Sequence, residues 1–311
     1  MNILHMKYAV EIADAGSINK AAERLLLNQP NLSRAIKELE ASLGIAIFRR
    51  SSRGIVPTPE GEQFLAQARG VLRQIDEIES AYHGGTPKKQ RFSISVPRAS
   101  YIADAFAQFS LHISGDPAEI FYQETNSLRA IENILHADYR LGIIRYAVEY
   151  GRYFKTMLEE KELAYEQVAE FRYVLIMGKN HPLANRPEIF LEDLRPYIEI
   201  AHADPYVPSL PMAEVRKSEL PEEIQRRIFV FERGGQFDLL SNNPETFMWV
   251  SPIPAAMLDR FGLVQRACQD NKKRYHDMLI YRVNYRLTQL DRSFITELCQ
   301  AKRKHLERVY R

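Results

Sequence analysis

Apolar residues at Leu4, Tyr8, Ala9 and Ile12 recur at helical spacing and predict a first helix over Leu4–Ala13. Gly16 breaks it, and Ser17 is placed to cap a second helix running from Ile18 to about Leu26, with Ala21, Ala22 and Leu25 inward. Asn28 is a second N-cap candidate. Gln29 and Pro30 then fall in the first turn of a third helix, where a proline loses no hydrogen bond. That helix extends to about Leu43, with Leu32, Ile36 and Leu39 inward and Gly44 closing it. Two short helices across a tight turn, the second well capped, form a helix-turn-helix pattern. The segment IAIFRRSSRGIVPTP alternates apolar residues at its ends around a Ser/Arg/Gly centre, which reads as a small β-hairpin with a basic tip. Thr58-Pro59-Glu60 opens a long helix to about Tyr82. Within it Phe64, Ala68, Val71, Ile75, Ile78 and Tyr82 recur at intervals of 4, 3, 4, 3 and 4. Such a narrow heptad seam predicts dimerisation through another helix. Packing against the chain's own body is the alternative.

Gly84-Gly85-Thr86-Pro87-Lys88-Lys89 reads as a linker. Beyond it, RFSISVP, AEIFYQE, YRLGIIRY, FRYVLIMG, YIEIAH, RIFVFER, TFMWVSP and MLIYRVNY have the composition of strands. They alternate with helical stretches at Tyr101–His112, Ser127–His136, Leu191–Leu194 and Phe294–Val309. The alternation predicts an α/β architecture with mostly parallel strands.

Composition narrows the class. A length of 311 residues suggests about two domains, and 45% hydrophobic with 26% charged residues is the range of a soluble globular protein. No apolar run approaches the roughly 18 residues of a membrane helix. The acid-bearing N-terminus lacks a signal-peptide pattern. Cys268 and Cys299 are the only cysteines, which fits a reducing compartment and predicts a cytoplasmic address. No enzyme, metal site or cofactor is expected. The eight histidines show no HExxH spacing, neither cysteine has a CxxC partner, and no glycine-rich phosphate loop is present. The net charge of +2 is a cancellation: +3 over residues 1–58, −1 over 59–90, −7 over 91–265 and +7 over 266–311. The basic C-terminal segment, with Lys272-Lys273-Arg274 and Lys302-Arg303-Lys304, is read as a solvated face.

Residues 1–61 resemble the DNA-binding segment of the LysR-type transcriptional regulators. The likeness is carried in one register by Ala21-Ala22, Leu25, Gln29-Pro30-Asn31-Leu32-Ser33, Ile36, Leu39-Glu40, Leu43-Gly44, Phe48, Arg50, Arg53, Thr58 and Gly61. It continues more loosely through RFSISV, the segment Met177–Ala184 and MLIYRVNY. Ala9 departs from the usual Phe, Asn28 from a common Ser, and Arg140 from a frequent Asp. The resemblance implies an N-terminal winged helix-turn-helix (1–58), a linker helix that dimerises (59–83), a hinge (84–90), and a regulatory domain (91–311) like the periplasmic binding proteins. Its first lobe would take about 91–163 and 266–311, and its second about 164–265.

The resemblance further implies a sequence-specific regulator that binds double-stranded operator DNA as a homodimer or homotetramer, answers to a small-molecule effector and works with RNA polymerase. Gln29, Asn31 and Arg34 are then expected at bases or the adjoining backbone, since Gln and Asn pair with adenine and Arg with guanine. Ser33 and Lys37 are expected at phosphate, and Arg50 and Arg53 in the wing. Ligands of open α/β sheets bind beyond the carboxyl ends of strands. Those ends are Arg98, Ser100 and Tyr101; Asn126 and Ser127; Arg145 and Tyr146; and, in the second lobe, the stretch from His202 to Tyr206. Ser100 and Asn126 would cap helices and hold a carboxylate, with an arginine as counter-charge, so a small organic acid is the expected effector. Capping alone also accounts for Ser100 and Asn126. Two other readings share the DNA-binding features: an effector-independent repressor or nucleoid-binding protein, and a regulator sensing redox through its cysteines.

Overall fold

Gly16 and Gly44 hold left-handed backbone (φ 63° and 71°), and each donates its N–H to a helix carbonyl four residues back. These two stops delimit α1 (Ile3–Ala15), α2 (Ile18–Arg24) and α3 (Gln29–Leu43). Ala9, Ile12, Ala21, Ala22, Leu32, Ile36 and Leu39 form their common core, joined by Ile47 and Leu65. Ser17 and Asn28 occupy the N-cap positions in extended backbone, but neither side chain makes a capping hydrogen bond. The antiparallel hairpin β1 (Phe48–Ser51) and β2 (Gly54–Pro57) follows, then the 24-residue helix α4 (Pro59–Tyr82).

The structure is a computed structural model and describes residues 2–51, 54–82, 89–113, 115–203 and 224–306. It divides into two compact units, Met1–Lys89 and, apart from residues 136–138, Gln90–Arg311. The second unit has the predicted two-lobed α/β architecture. Its first sheet takes β3 (Gln90–Val96), β4 (Ala118–Glu124), β5 (Leu141–Ala147), β6 (Leu163–Arg172) and β12 (Arg274–Arg282), in the order β4-β3-β5-β12-β6. Helices α5 (Ser100–Ser110), α6 (Ser127–His136), α7 (Gly151–Glu160) and the C-terminal α10 (Gln289–His305) accompany it. The second sheet takes β7 (Val174–Gly178), β8 (Ile198–His202), β9 (Arg226–Val230), β10 (Thr246–Val250) and β11 (Leu263–Arg266), in the order β11-β7-β10-β8-β9. Helices α8 (Gly234–Asn242) and α9 (Ala255–Phe261) belong to it.

Two expectations are corrected here. The sheets are mixed rather than mostly parallel. In each, four strands share one direction and a single strand runs against them, β12 in the first and β7 in the second, so that two of the four pairings are parallel and two antiparallel. The first lobe also extends past residue 163. β6 pairs along its whole length with β12, so the chain crosses to the second lobe at Tyr173, about nine residues later than the sequence suggested. The polar run YEQ within β6 disguises an edge strand with one wet face.

Candidate nucleic-acid interface and ligand cleft

Helix α3 separates its faces cleanly. Leu32, Ala35, Ile36 and Leu39 are buried, whereas Gln29, Asn31, Arg34 and Lys37 are exposed and Ser33 is half-buried. The apolar stripe fixes the helix on α1 and α2 and leaves its N-terminal polar side chains facing solvent, the presentation a groove-reading helix needs. The hairpin is tied to this helix by Glu40, whose Oε1 accepts the backbone N–H groups of Ile47 (2.7 Å) and Phe48 (3.1 Å). Thr58 then closes the same open end from the second strand. Its hydroxyl donates to the Ala46 carbonyl (2.5 Å) and accepts the Gly61 N–H (2.9 Å), which caps α4. Gly61 itself cannot carry a side chain, because a Cβ there would lie 2.0 Å from the Ile47 carbonyl oxygen. Glu40, Thr58 and Gly61 therefore share one job, setting the hairpin against the helices. Arg50 lies on β1, Arg53 lies outside the described residues, and exposed Arg49 was overlooked in the sequence.

The seam of α4 is divided. Ala68 is buried against Met6 of α1, with Leu72 alongside and Phe64 packed at the margin. That part of the heptad stripe serves the chain's own body, as the alternative reading allowed. Val71 is 40% exposed and Ile75 half-buried. The side chains of Ile78 and Tyr82 lie outside the described residues.

In the regulatory unit, a cleft opens where both sheets present their carboxyl ends. Arg98 and Ser100 follow β3, Arg145 lies near the end of β5, and Tyr173 sits at the crossing between lobes. The second lobe contributes His202 from the end of β8, Arg233 and Gln236 at the start of α8, and Trp249, Val250 and Ser251 from β10. The space among these residues, counted with its opening to solvent, is about 340 Å³.

Its charges are paired within the protein. Arg145 donates from Nε and Nη2 to the two oxygens of Asp277 (2.7 and 2.6 Å), and Tyr101 donates to Asp277 Oδ2 (2.6 Å). Asp277 is fully buried on β12, where the ladder to β6 slips by one residue, a local irregularity of the kind that re-aims side chains beside sites. Burial and the neighbouring Asp277 carboxylate push the Tyr101 hydroxyl above its ordinary value, which keeps it protonated as a donor. The Arg145 guanidinium also lies 4.7 Å from the ring centre of Phe171. From the second lobe, Arg233 reaches the first, donating to Glu124 Oε1 (2.7 Å) and to the Ser100 hydroxyl (2.6 Å).

Of the residues expected at the ligand, the cleft brings together Arg98, Ser100 and Arg145 and, from the expected stretch after β8, His202. Ser100 is not a cap: Ala99 holds the N-cap position of α5, and the Ser100 hydroxyl accepts from Arg233. Tyr101 lies beneath the cleft with no exposed surface, holding Asp277. Tyr146 cannot share the cleft with its neighbour Arg145, because successive strand residues face opposite ways; it is buried and stacked on Phe154 with ring centres 4.3 Å apart. Asn126 caps α6 by accepting the Arg129 N–H (2.9 Å). The Ser127 hydroxyl donates to the Arg145 carbonyl (2.7 Å) and accepts the Arg145 N–H (3.0 Å), so it braces β5 instead of lining the cleft. Tyr206 lies outside the described residues. Asp277, Glu124, Arg233, Gln236 and Trp249 escaped the sequence reading, since nothing local marks them as neighbours.

Cys268 is buried and donates to Asp270 (3.0 Å); burial, reinforced by that carboxylate, pushes its thiol up to about 12. Thiolate chemistry is suppressed there. Cys299 is exposed on α10.

Residues 3–62 match the family model described as a bacterial regulatory helix-turn-helix protein, lysR family. Among curated relatives, the HTH-type transcriptional regulator AlsR of Bacillus subtilis is 29% identical over 65% of this chain and 65% of its own length. The uncharacterized HTH-type regulator YnfL of Escherichia coli is 27% identical over 62% and 63%. The chain thus spans less than two thirds of the length of these relatives. Among solved structures, full-length OxyR from Pseudomonas aeruginosa superposes with a TM-score of 0.64 at 18% identity, covering 99% of this chain and 98% of that one. LysG from Corynebacterium glutamicum, a full-length structure with bound effector Arg, gives 0.58 at 14% identity, covering 98% and 99%.

Proposed function

We propose, from the premise that this chain belongs to the LysR-type family, that it is a sequence-specific DNA-binding transcriptional regulator whose regulatory unit answers to a small metabolite. The observation that carries the DNA-binding half is α3: an apolar stripe buried to the last residue, with Gln29, Asn31, Arg34 and Lys37 left exposed beside a hairpin pinned by Glu40 and Thr58. Gln29, Asn31 and Arg34 would read base edges of double-stranded operator DNA, and Ser33 and Lys37 would hold phosphate. Arg49, Arg50 and Arg53 would extend the contact from the wing. The effector half is supported by the cleft between the lobes, which gathers Arg98, Arg145 and Arg233. Self-association would use the part of the α4 seam left uncovered at Val71 and Ile75. An operator-bound oligomer would act on RNA polymerase, in the cytoplasm, without a cofactor beyond its effector.

The test is a titration of operator DNA at several salt concentrations. Arg34→Ala should weaken specific binding by about 1–3 kcal/mol and relax base preference at one position. Lys37→Ala should weaken all sequences alike and lower the salt slope by about one. Operator binding unchanged by both would remove α3 as the reader.

A further inference from the structure

We infer that the cleft takes a small carboxylate carrying a neutral hydroxyl, and that Gln236 is the residue that reads the hydroxyl. The inference rests on the cleft's being the effector site. Gln236 Oε1 and Trp249 Nε1, of two lining residues, are buried with no hydrogen-bond partner among the described residues. Gln236 is only 3% exposed and stands in the first turn of α8, an expensive place to leave an amide oxygen unmatched. One atom needs a donor and the other needs an acceptor, so a molecule satisfying both must carry each.

The surrounding charge selects among such molecules. Arg98, Arg145 and Arg233 converge on the cleft and favour an anionic acceptor. The carboxylates beside them are already engaged. Asp277 accepts three hydrogen bonds from Arg145 and Tyr101, and Glu124 accepts from Arg233 and, at 3.4 Å, from Tyr122. An ammonium group would lie among guanidinium groups without a carboxylate to itself. A hydroxyl donates to Gln236 at no cost in charge and can still accept.

Calorimetric titration of the full chain with butyrate, 2-hydroxybutyrate and 2-aminobutyrate, and with succinate and malate, tests this. The hydroxy acid of at least one pair should bind at least tenfold tighter than its deoxy partner, and 2-aminobutyrate should bind worst of its three. Gln236→Leu should weaken the preferred hydroxy acid at least tenfold and leave the deoxy acid within twofold. Should that variant lose its cooperative thermal transition, Gln236→Glu, which keeps the acceptor and the shape, should retain the preference for hydroxyl while weakening both acids. Binding of the acids without hydroxyl preference, tightest binding of the amino acid, or a preference untouched by Gln236→Leu would each overturn the inference and leave the cleft reading standing. No heat from any of the five would overturn both.

Discussion

The two units solve opposite problems with polar side chains. The N-terminal unit keeps its polar side chains outside: Gln29, Asn31, Arg34 and Lys37 stand exposed on one helix, and burial goes to the apolar stripe behind them. The regulatory unit puts charge inside, and the ion pairs beside its cleft draw their partners from far along the chain. Arg145 and Asp277 are 132 residues apart, and Arg233 and Glu124 are 109. Side chains that are to read DNA, as proposed for these, have to be available to a partner the protein does not contain. A cleft that must stay folded in its absence has to neutralise its own guanidinium groups first, because an unpaired buried charge is worse than none.

The contrast is sharpest at Asp277. Asp277→Asn should destabilise the regulatory unit by about 3–5 kcal/mol, since it leaves Arg145 buried without a counter-charge; urea unfolding should show this, with operator affinity of the folded fraction little changed. A loss under 1 kcal/mol would mean the pair is solvated.

Acid should separate the units next. His181 is buried, its Nδ1 accepts the Leu183 N–H (3.0 Å), and burial lowers its pKa to about 4. With the folded value below the unfolded one near 6.5, protons favour the unfolded chain. The contribution of the neutral ring is whole above pH 6.5 and is lost as pH falls towards about 4, up to about 3 kcal/mol. His181→Gln should flatten the stability profile over that window.

Gly61→Ala makes the converse test in the N-terminal unit. Its methyl group collides with the Ile47 carbonyl, so a cost of about 1–3 kcal/mol is expected, together with weaker operator binding through the displaced hairpin. A variant that binds normally would show the hairpin to be dispensable. The smallest effect concerns the cysteines: iodoacetamide at neutral pH should label Cys299 in the folded chain and spare Cys268. Rapid labelling of Cys268 would revive the redox reading.

How much was legible follows the same division. Gln29-Pro30, Gly44 and the alternating hairpin announced α3 and its wing because the relevant contacts are local. Even Glu40, Thr58 and Gly61, recognisable as a pattern, act within some twenty residues of one another. The capping box of α10 is equally local: Thr288 and Asp291 hydrogen-bond reciprocally and start the helix at Gln289, five residues before the Phe294 that apolar spacing alone predicts. The α4 seam was read correctly as apolar but not as shared, since spacing cannot say that Ala68 would be covered by Met6. In the cleft, strand ends located Arg98, Ser100 and Arg145. Periodicity should have excluded Tyr146, one residue from Arg145 and so on the opposite face.

By itself the sequence determined α1 to α3 and the hairpin, because helix stops and apolar periods act over a few residues, and it showed alternating strands and helices beyond them; the two-lobed plan was implied only by the family resemblance. Only the tertiary structure decided which charges meet, where the chain crosses between lobes, and that Gln236 and Trp249 share a cleft with Arg145. Those facts depend on strand order and on a ladder slip at Asp277, and a buried polar group is defined by what surrounds it, not by its neighbours in the chain.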